Sequence, residues 1–288
     1  MGIDLAEALH RRSRGLPGPR GQEVLTLSPA SLEEVARESG LGLRSVEIRA
    51  LQERLLPERY LRNLGTLGWE GQRRLLESCT AVIGCGGLGG HVVEGLARSG
   101  VGRLVLVDGD CFVPHNMNRQ VLGTLDDLGR PKVEVARERV AAVNPAVEVV
   151  SHAVVATVDN LPALLQGVEV VVDALDTPGA RLVLQDVAGR MEVPLVHGAI
   201  AGFIGQVTTV LPGDETLSLI YGGEAAPAHG AEFALGTPAP TPMLVAACQV
   251  AEVFKLLLGW GQLLRGQMLY LDLESGMVER FPILGGEG

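Results

Sequence analysis

The stretch Thr80–Asp110, TAVIGCGGLGGHVVEGLARSGVGRLVLVDGD, decides the fold. Its opening residues are small, apolar and uncharged, as a strand covered on both faces requires. Gly84, Gly86, Gly87 and Gly89 follow at once. HVVEGLARSG then spaces its apolar side chains with a helical period and stops on Gly100. A second apolar strand, RLVLVD, closes on Asp108. Strand, glycine turn, helix and strand within about thirty residues make a mononucleotide-binding unit. The glycines permit the tight turn and let backbone N–H groups approach a phosphate, while the helix N-terminus adds a positive dipole. Asp108, about twenty residues on, is placed to accept hydrogen bonds from ribose hydroxyls. A Walker loop is excluded, because no Gly-Lys-Ser/Thr follows.

Downstream, PKVEVARERVAAVN, VEVVS, LPALLQG, VEVVVDAL, ARLVLQDVAGRM and PLVHGAI alternate helical and strand patterns. Such alternation predicts an α/β fold with a doubly wound, mostly parallel (Rossmann-like) sheet. After Gly205 the pattern changes. QVTTVLPGDETLSLIYGG predicts an antiparallel hairpin or edge strand with a turn at Pro212-Gly213-Asp214. Residues 223–242 are rich in Gly, Ala and Pro and read as a mobile loop. MLVAACQVAEVFKLLLG predicts a largely buried helix, and QMLYLDLESGMVERFPI a terminal antiparallel hairpin around Ser275-Gly276.

Upstream, residues 13–22, SRGLPGPRGQ, read as a flexible linker. Ser28 or Ser31 is placed to cap a helix that Gly40 stops, and a second helix begins near Leu43. The organisation expected is a linker and small N-terminal helical arm over residues 1–56, then the nucleotide-binding domain over 57–288. Acids and bases balance in the arm's helices, which argues against DNA reading.

The composition agrees with this layout. Of 288 residues, 47% are hydrophobic but only 3% aromatic, so aliphatic side chains must fill the core. A net charge of −10 argues against nucleic acid as a partner, although a few cations can still focus a field in one cleft. Cys79, Cys85, Cys111 and Cys248 include no CxxC pair, so no structural zinc is expected and the thiols read as reduced. With no apolar run suited to a signal peptide or a membrane span, the expected location is cytoplasmic, with no membrane partner.

The residues after Asp108 narrow the chemistry. In DGDCFVPHNMNRQVLGTLDDLGRPK, the group Asn116, Asn118, Arg119 and Gln120 is followed by Lys132. These side chains suit a polyphosphate and the charge that develops as pyrophosphate leaves. Asp176, in DALDTP, ends a buried strand, where a carboxylate can hold Mg²⁺ against phosphate oxygens.

Taken in order, GCGGLGG, DGD, NMNRQ, GRPK and DALD resemble the ThiF/MoeB/HesA adenylyltransferases, relatives of ubiquitin-activating enzymes. The resemblance runs from about Pro57 to the KLLLG helix and takes in ERYLRN, HGAIAGFIGQV and QVAEVFKLLLG. It implies that Asp108 holds the ribose with Asp110 close by, that Arg119 and Lys132 bind the phosphates of ATP, and that Asp176 binds Mg²⁺. It further implies that Arg62 reaches into a partner subunit's site, with Arg59 the weaker candidate, in a homodimer. The implied reaction is adenylation of the C-terminal Gly-Gly carboxylate of a ubiquitin-like sulfur-carrier protein, with release of pyrophosphate. That carboxylate is ionised at pH 7, so positioning and charge neutralisation matter more than a strong base.

The chain departs from the family's pattern in two respects. It lacks the paired CxxC zinc motifs, and no cysteine occupies the loop GEAAPAHGAEFALG, where relatives carry a thioester- or persulfide-forming thiol. The reaction is therefore expected to stop at the adenylate. Cys248, and the site-proximal Cys85 and Cys111, read as small packed residues, His197 as a core histidine near the site and His229 as solvent-facing. Gly285-Gly286 resembles a carrier's own tail but reads as a flexible terminus. Three alternatives stay open. ARSGVGRLVLVDGD and NMNRQ also resemble the tRNA threonylcarbamoyladenosine dehydratases, although the acidic charge and HGAIAGFIGQV favour a protein carrier. An NAD(P)-dependent oxidoreductase would leave NMNRQ and Lys132 unexplained. A nucleotide sensor would need DNA-reading helices.

Overall fold

The computed structural model describes residues 3–222 and 230–283. His229 and Gly285-Gly286 lie outside the described residues. The arm begins with α1 (Leu5–Arg12), capped by the Asp4 carboxylate, which accepts from Glu7 N at 3.1 Å. Residues 13–22 are not a linker. They form β1 (Arg14–Pro17) and the turn into β2 (Glu23–Leu27), paired antiparallel from Arg14↔Thr26 to Pro17↔Glu23. Gly21, at φ +79°, supplies the left-handed residue of that turn. β2 then buries Val24 and Leu27. Helices α2 (Pro29–Ser39) and α3 (Leu43–Gln52) follow. Ser28 is the cap, its Oγ accepting from Ser31 N at 3.1 Å, and Gly40 ends α2 at φ +71°. Strand β3 (Leu56–Pro57) adds parallel to β2. Leu9, Leu32, Val35, Val46 and Leu55 give the arm a small core of its own.

Polar contacts fasten the arm to the body. Arg44 donates to the carbonyls of Leu76 and Glu77, at 2.9 and 3.0 Å. Arg59 donates to Glu47 Oε1 at 2.5 Å and to Asn144 Oδ1 at 2.8 Å, and Glu47 is fully buried.

The body continues through α4 (Leu64–Glu77), β4 (Cys79–Ile83), α5 (Gly87–Ser99) and β5 (Arg103–Val107). Next come α6 (Lys132–Val143), β6 (Glu148–His152), α7 (Leu161–Leu164), β7 (Val170–Asp173) and α8 (Pro178–Arg190). The chain ends with β8 (Leu195–Ala201), β9 (Ile204–Val210), α9 (Thr216–Tyr221), α10 (Glu232–Leu235), α11 (Pro240–Leu258), β10 (Gln267–Asp272) and β11 (Met277–Pro282). The main sheet runs β11-β10-β9-β8-β7-β4-β5-β6, parallel from β8 to β6 and antiparallel at the β9–β11 edge. Strand alternation feeds two cores. Val82, Leu104, Leu106 and Val172 face the α5, α6 and α11 side, while Ala81, Ile83, Val105 and Val171 face α7, α8 and α9.

Two segments near the antiparallel edge differ from expectation. β9 pairs with β8 across Gly202-Phe203, and the Pro212-Gly213-Asp214 turn leads into α9, not a second strand. Leu217 N donates to Gln185 Oε1 at 2.6 Å, so a contact with α8 stabilises the helix. Within 223–242, α10 is helical and α11 starts at Pro240, a residue suited to a helix's first turn. The terminal hairpin forms as expected, from Asp272↔Met277 to Gln267↔Pro282.

Candidate active site

β4 sends its neighbours to opposite sides, β5 on one and β7 on the other, which creates a crevice at the strands' carboxyl ends. A cleft of about 450 Å³ lies there, lined by the glycine turn, Asp108, Arg119, Lys132 and Asp176 among others. The turn is glycine-rich for steric reasons. Gly84 has φ +97°, and a Cβ there would lie 2.5 Å from Ala174 O. A Cβ on Gly89 would lie 1.8 Å from Gly84 O, so Gly89 seats α5 against the turn without lining the cleft. Gly86 and Gly87 do line it, facing Gln120 and Arg119 respectively.

Asp108 forms the floor at the end of β5. Its two oxygens accept from Cys85 N at 2.7 Å and from Asp110 N at 2.8 Å. Burial pushes its pKa above the usual carboxylate value, opposed by the nearby Lys132. Lys132, the first residue of α6, is buried and donates to Asp110 Oδ2 at 2.8 Å, with its Nζ 4.0 Å from Asp108 Oδ2. In this structure, therefore, the ammonium sits on the acids.

The NMNRQ segment divides its roles. Arg119 donates to His115 O at 3.0 Å and Asn118 Oδ1 at 2.8 Å, and no carboxylate pairs with it among the described residues. Burial lowers its pKa, the expected response of a cation partly removed from water. Gln120 is buried and lines the cleft, and its Oε1 has no hydrogen-bond partner among the described residues. Asn116 lies outside the cleft and closes its own turn, its Oδ1 accepting from Val113 N at 3.2 Å. Asn118 is exposed and ties the segment to Thr237 O at 3.2 Å, also outside the lining. Asp176 is exposed at the cleft, just past β7, and no hydrogen bond or ion pair holds its carboxylate among the described residues.

Arg62 is exposed and lies outside the cleft of its own chain, while Arg59 is committed to the arm–body junction. His197 is fully buried on β8 and does not line the cleft. Cys85 is buried behind the glycine turn, and burial raises its pKa well above the ordinary thiol value; Cys248 is half-buried and shifted the same way. Cys111 is exposed.

Two features of the cleft escaped the sequence reading. Val154 and Val155, just after β6, form an apolar wall over Gly109. Arg181 is 4% exposed and lines the cleft from the first turn of α8. Its signal was its position just after the carboxyl end of a buried strand.

The ThiF family profile matches residues 60–286. The chain belongs to the ThiF family. Residues 1–59, which include the whole arm, lie outside the matched span. Within the family, the chain is 39% identical over 230 residues to the SAMP-activating enzyme E1 of Haloferax volcanii, covering 78% of this chain and 84% of that one. It is 37% identical over 253 residues to the sulfur carrier protein adenylyltransferase of Thermus thermophilus, covering 80% and 91%. The ThiS adenylyltransferase of Bacillus subtilis is 35% identical over 196 residues, covering 67% and 58%. Among solved structures, the fold is shared with PaaA (TM-score 0.67, 23% identity, 79% of this chain and 82% of that one) and with the E. coli MccB complex with ATP (TM-score 0.64, 22% identity, 78% and 71%).

Proposed function

We propose that this enzyme, an adenylyltransferase of the ubiquitin-activating type, uses ATP to adenylate the C-terminal Gly-Gly carboxylate of a ubiquitin-like sulfur-carrier protein and releases pyrophosphate. The observation that carries this reading is the charge arrangement in one cleft: among the described residues, a guanidinium without a carboxylate, Arg119, beside the glycine turn, and a carboxylate without a cation, Asp176. A triphosphate complements the first and a divalent cation the second. The Gly86–Gly87 turn, where a Cβ on Gly87 would lie 3.1 Å from Arg119 Cγ, fits an anionic ligand that needs close backbone approach, and Gln120 Oε1, an acceptor with no partner among the described residues, suits a hydroxyl or amine donor of the nucleotide.

Asp108 would take the ribose hydroxyls, Val154 and Val155 the base, and the α5 N-terminus with Arg119 and Lys132 the phosphates. Among the described residues no cluster of three metal-ligating side chains exists, so Asp176 would hold Mg²⁺ together with phosphate oxygens, the usual habit of that ion. Mg²⁺ supplies neutralisation of the triphosphate. The carrier's carboxylate oxygen attacks the α-phosphorus, the bond to the bridging oxygen breaks, and the electron pair leaves with pyrophosphate. Arg119 stabilises the charge that develops, because its guanidinium is already partly desolvated and is aimed by His115 and Asn118. Arg62, exposed and outside the lining of its own cleft, would serve the partner's cleft in a homodimer. In this reading the reaction ends at the adenylate, with no thiol step, in a cytoplasmic setting.

ATP–pyrophosphate exchange with Mg²⁺ and a panel of small proteins ending in Gly-Gly tests this. Exchange that needs both a carrier and Asp176, judged against Asp176→Ala, is expected. Exchange driven instead by tRNA or a small carboxylate would overturn the carrier assignment.

A further inference from the structure

Asp173, His197, Tyr221 and Arg181 play no part in the adenylation step above, yet they form one continuous polar chain from the sheet core to the cleft. Asp173 ends β7 and His197 faces it in register on β8; both are fully buried. His197 Nδ1 lies 2.7 Å from Asp173 Oδ2, and Asp173 Oδ1 accepts from Leu175 N at 2.9 Å. Burial holds the His197 pKa below its ordinary value, so the ring is neutral. The nitrogen facing the carboxylate must then carry the proton, which leaves Nε2 as an acceptor. Tyr221 Oη, 3.1 Å from Nε2, is therefore the donor. The same phenol oxygen accepts from Arg181 Nη1 at 2.7 Å and Gln206 Nε2 at 3.0 Å. Arg181 in turn donates Nε and Nη2 to Leu175 O, at 3.2 and 2.8 Å.

The chain thus closes on itself. Its carboxylate end holds the N–H of Leu175, and its guanidinium end holds the C=O of the same residue. The next residue is Asp176. Each donor has one direction: guanidinium to phenol, phenol to imidazole, imidazole to carboxylate. The cation and anion sit at opposite ends with neutral groups between, which satisfies a buried charge pair without a direct contact.

We propose that Asp173, His197, Tyr221 and Arg181 form a directional clamp on Leu175 that sets the position of the Asp176 carboxylate, making His197 and Tyr221 positioning residues for the metal–phosphate end of the cleft. The inference rests on the adenylation reading, which assigns Mg²⁺ to Asp176. Gln206 belongs to the clamp, because its amide is the phenol's second donor.

Tyr221→Phe removes only the hydroxyl and keeps the ring, which lies 5.3 Å below the Arg181 guanidinium and meets His197 edge-on at 5.7 Å. Binding of a non-hydrolysable ATP analogue is measured by calorimetry, without Mg²⁺ and across a Mg²⁺ series, for the unsubstituted protein and the variant. The Mg²⁺ concentration giving half-maximal enhancement is expected to rise at least about tenfold, the worth of one of the three part-buried hydrogen bonds that the hydroxyl makes. Metal-free binding should be nearly unchanged, and exchange activity should recover at high Mg²⁺. Arg181→Lys, which keeps the charge but loses the two-pronged grip on Leu175 O, should shift the Mg²⁺ requirement in the same direction. An unsubstituted protein that binds no ATP analogue would overturn the adenylation reading and this inference together. Mg²⁺-dependent binding in the unsubstituted protein, with the same requirement in both variants, would overturn the clamp alone. Nitrogen NMR showing His197 protonated on Nε2 in the unsubstituted protein would overturn the assigned direction.

Discussion

Replacing Arg59 with Met strips the counter-ion from a carboxylate buried where the arm meets the body. Glu47 is fully buried, and its pKa is pushed up to about 7, chiefly by burial and against the pull of Arg59. Its Oε2 has no hydrogen-bond partner among the described residues, so the Arg59 Nη1 contact at 2.5 Å is the charge's main support. The same nitrogen holds Asn144 Oδ1, and Asn144 holds Tyr60 Oη at 2.9 Å and Ala97 O at 2.9 Å. Breaking a buried pair by removing one partner typically costs about 3–5 kcal/mol. The pH dependence tests the mechanism. With its folded-state pKa raised, Glu47 binds more protons folded than unfolded, so stability falls as pH rises from the unfolded value toward about 7. Without Arg59 the folded pKa rises further, and the loss continues at higher pH. The variant's deficit should therefore be smallest near pH 6 and grow by up to about 1.4 kcal/mol per pH unit above 7. Urea denaturation at pH 6 and pH 9 measures both, with Glu47→Gln added to Arg59→Met as a control that abolishes the growth. A deficit that is constant between the two pH values would refute a buried charge as the cause.

Gly89→Ala should cost at least about 3 kcal/mol and abolish nucleotide binding, since its Cβ would meet Gly84 O at 1.8 Å and nearby backbone cannot yield as a flexible side chain would. A melting curve with calorimetry checks this, and normal ATP affinity would contradict it. Arg119→Ala should weaken ATP binding by roughly 10- to 100-fold, the range of a lost charge-assisted hydrogen bond, with little change in Tm because Arg119 has no ion pair among the described residues. Equal losses of affinity and stability would point to a structural role instead. Ser28→Ala removes the α2 cap and should cost about 1 kcal/mol in denaturant unfolding while leaving the cleft's ATP affinity alone.

The β4–α5–β5 unit was legible because its signals are local. Apolar runs such as Leu104–Val107 form strands buried on both faces, and Gly84 and Gly100 stand where φ is positive. Ser28 and Gly40 marked a helix for the same reason: caps are satisfied within a few residues. The β1–β2 hairpin was not legible, because Arg14–Pro17 has no strand pattern and becomes a strand only by pairing with β2, which β3 joins from the other side. TLSLIY carries β-forming residues yet is helical, since Gln185 of α8 accepts its Leu217 N–H.

Sequence alone determined the fold class, the glycine turn, the acid at the end of β5 and the order of motifs that marks the family, because each depends on residue type and short spacing. Tertiary structure decided which polar groups share the cleft. It turned Asn116 inward to close its own turn, set Lys132 on Asp110, and brought Arg181, Tyr221, His197 and Asp173 into one hydrogen-bonded ring. Those partners lie 24 to 40 residues apart along the chain, from Asp173 to His197 and from Arg181 to Tyr221. Only the crossing of β7, β8, α8 and α9 brings them within reach, and side-chain direction at that range is set by packing rather than by local spacing.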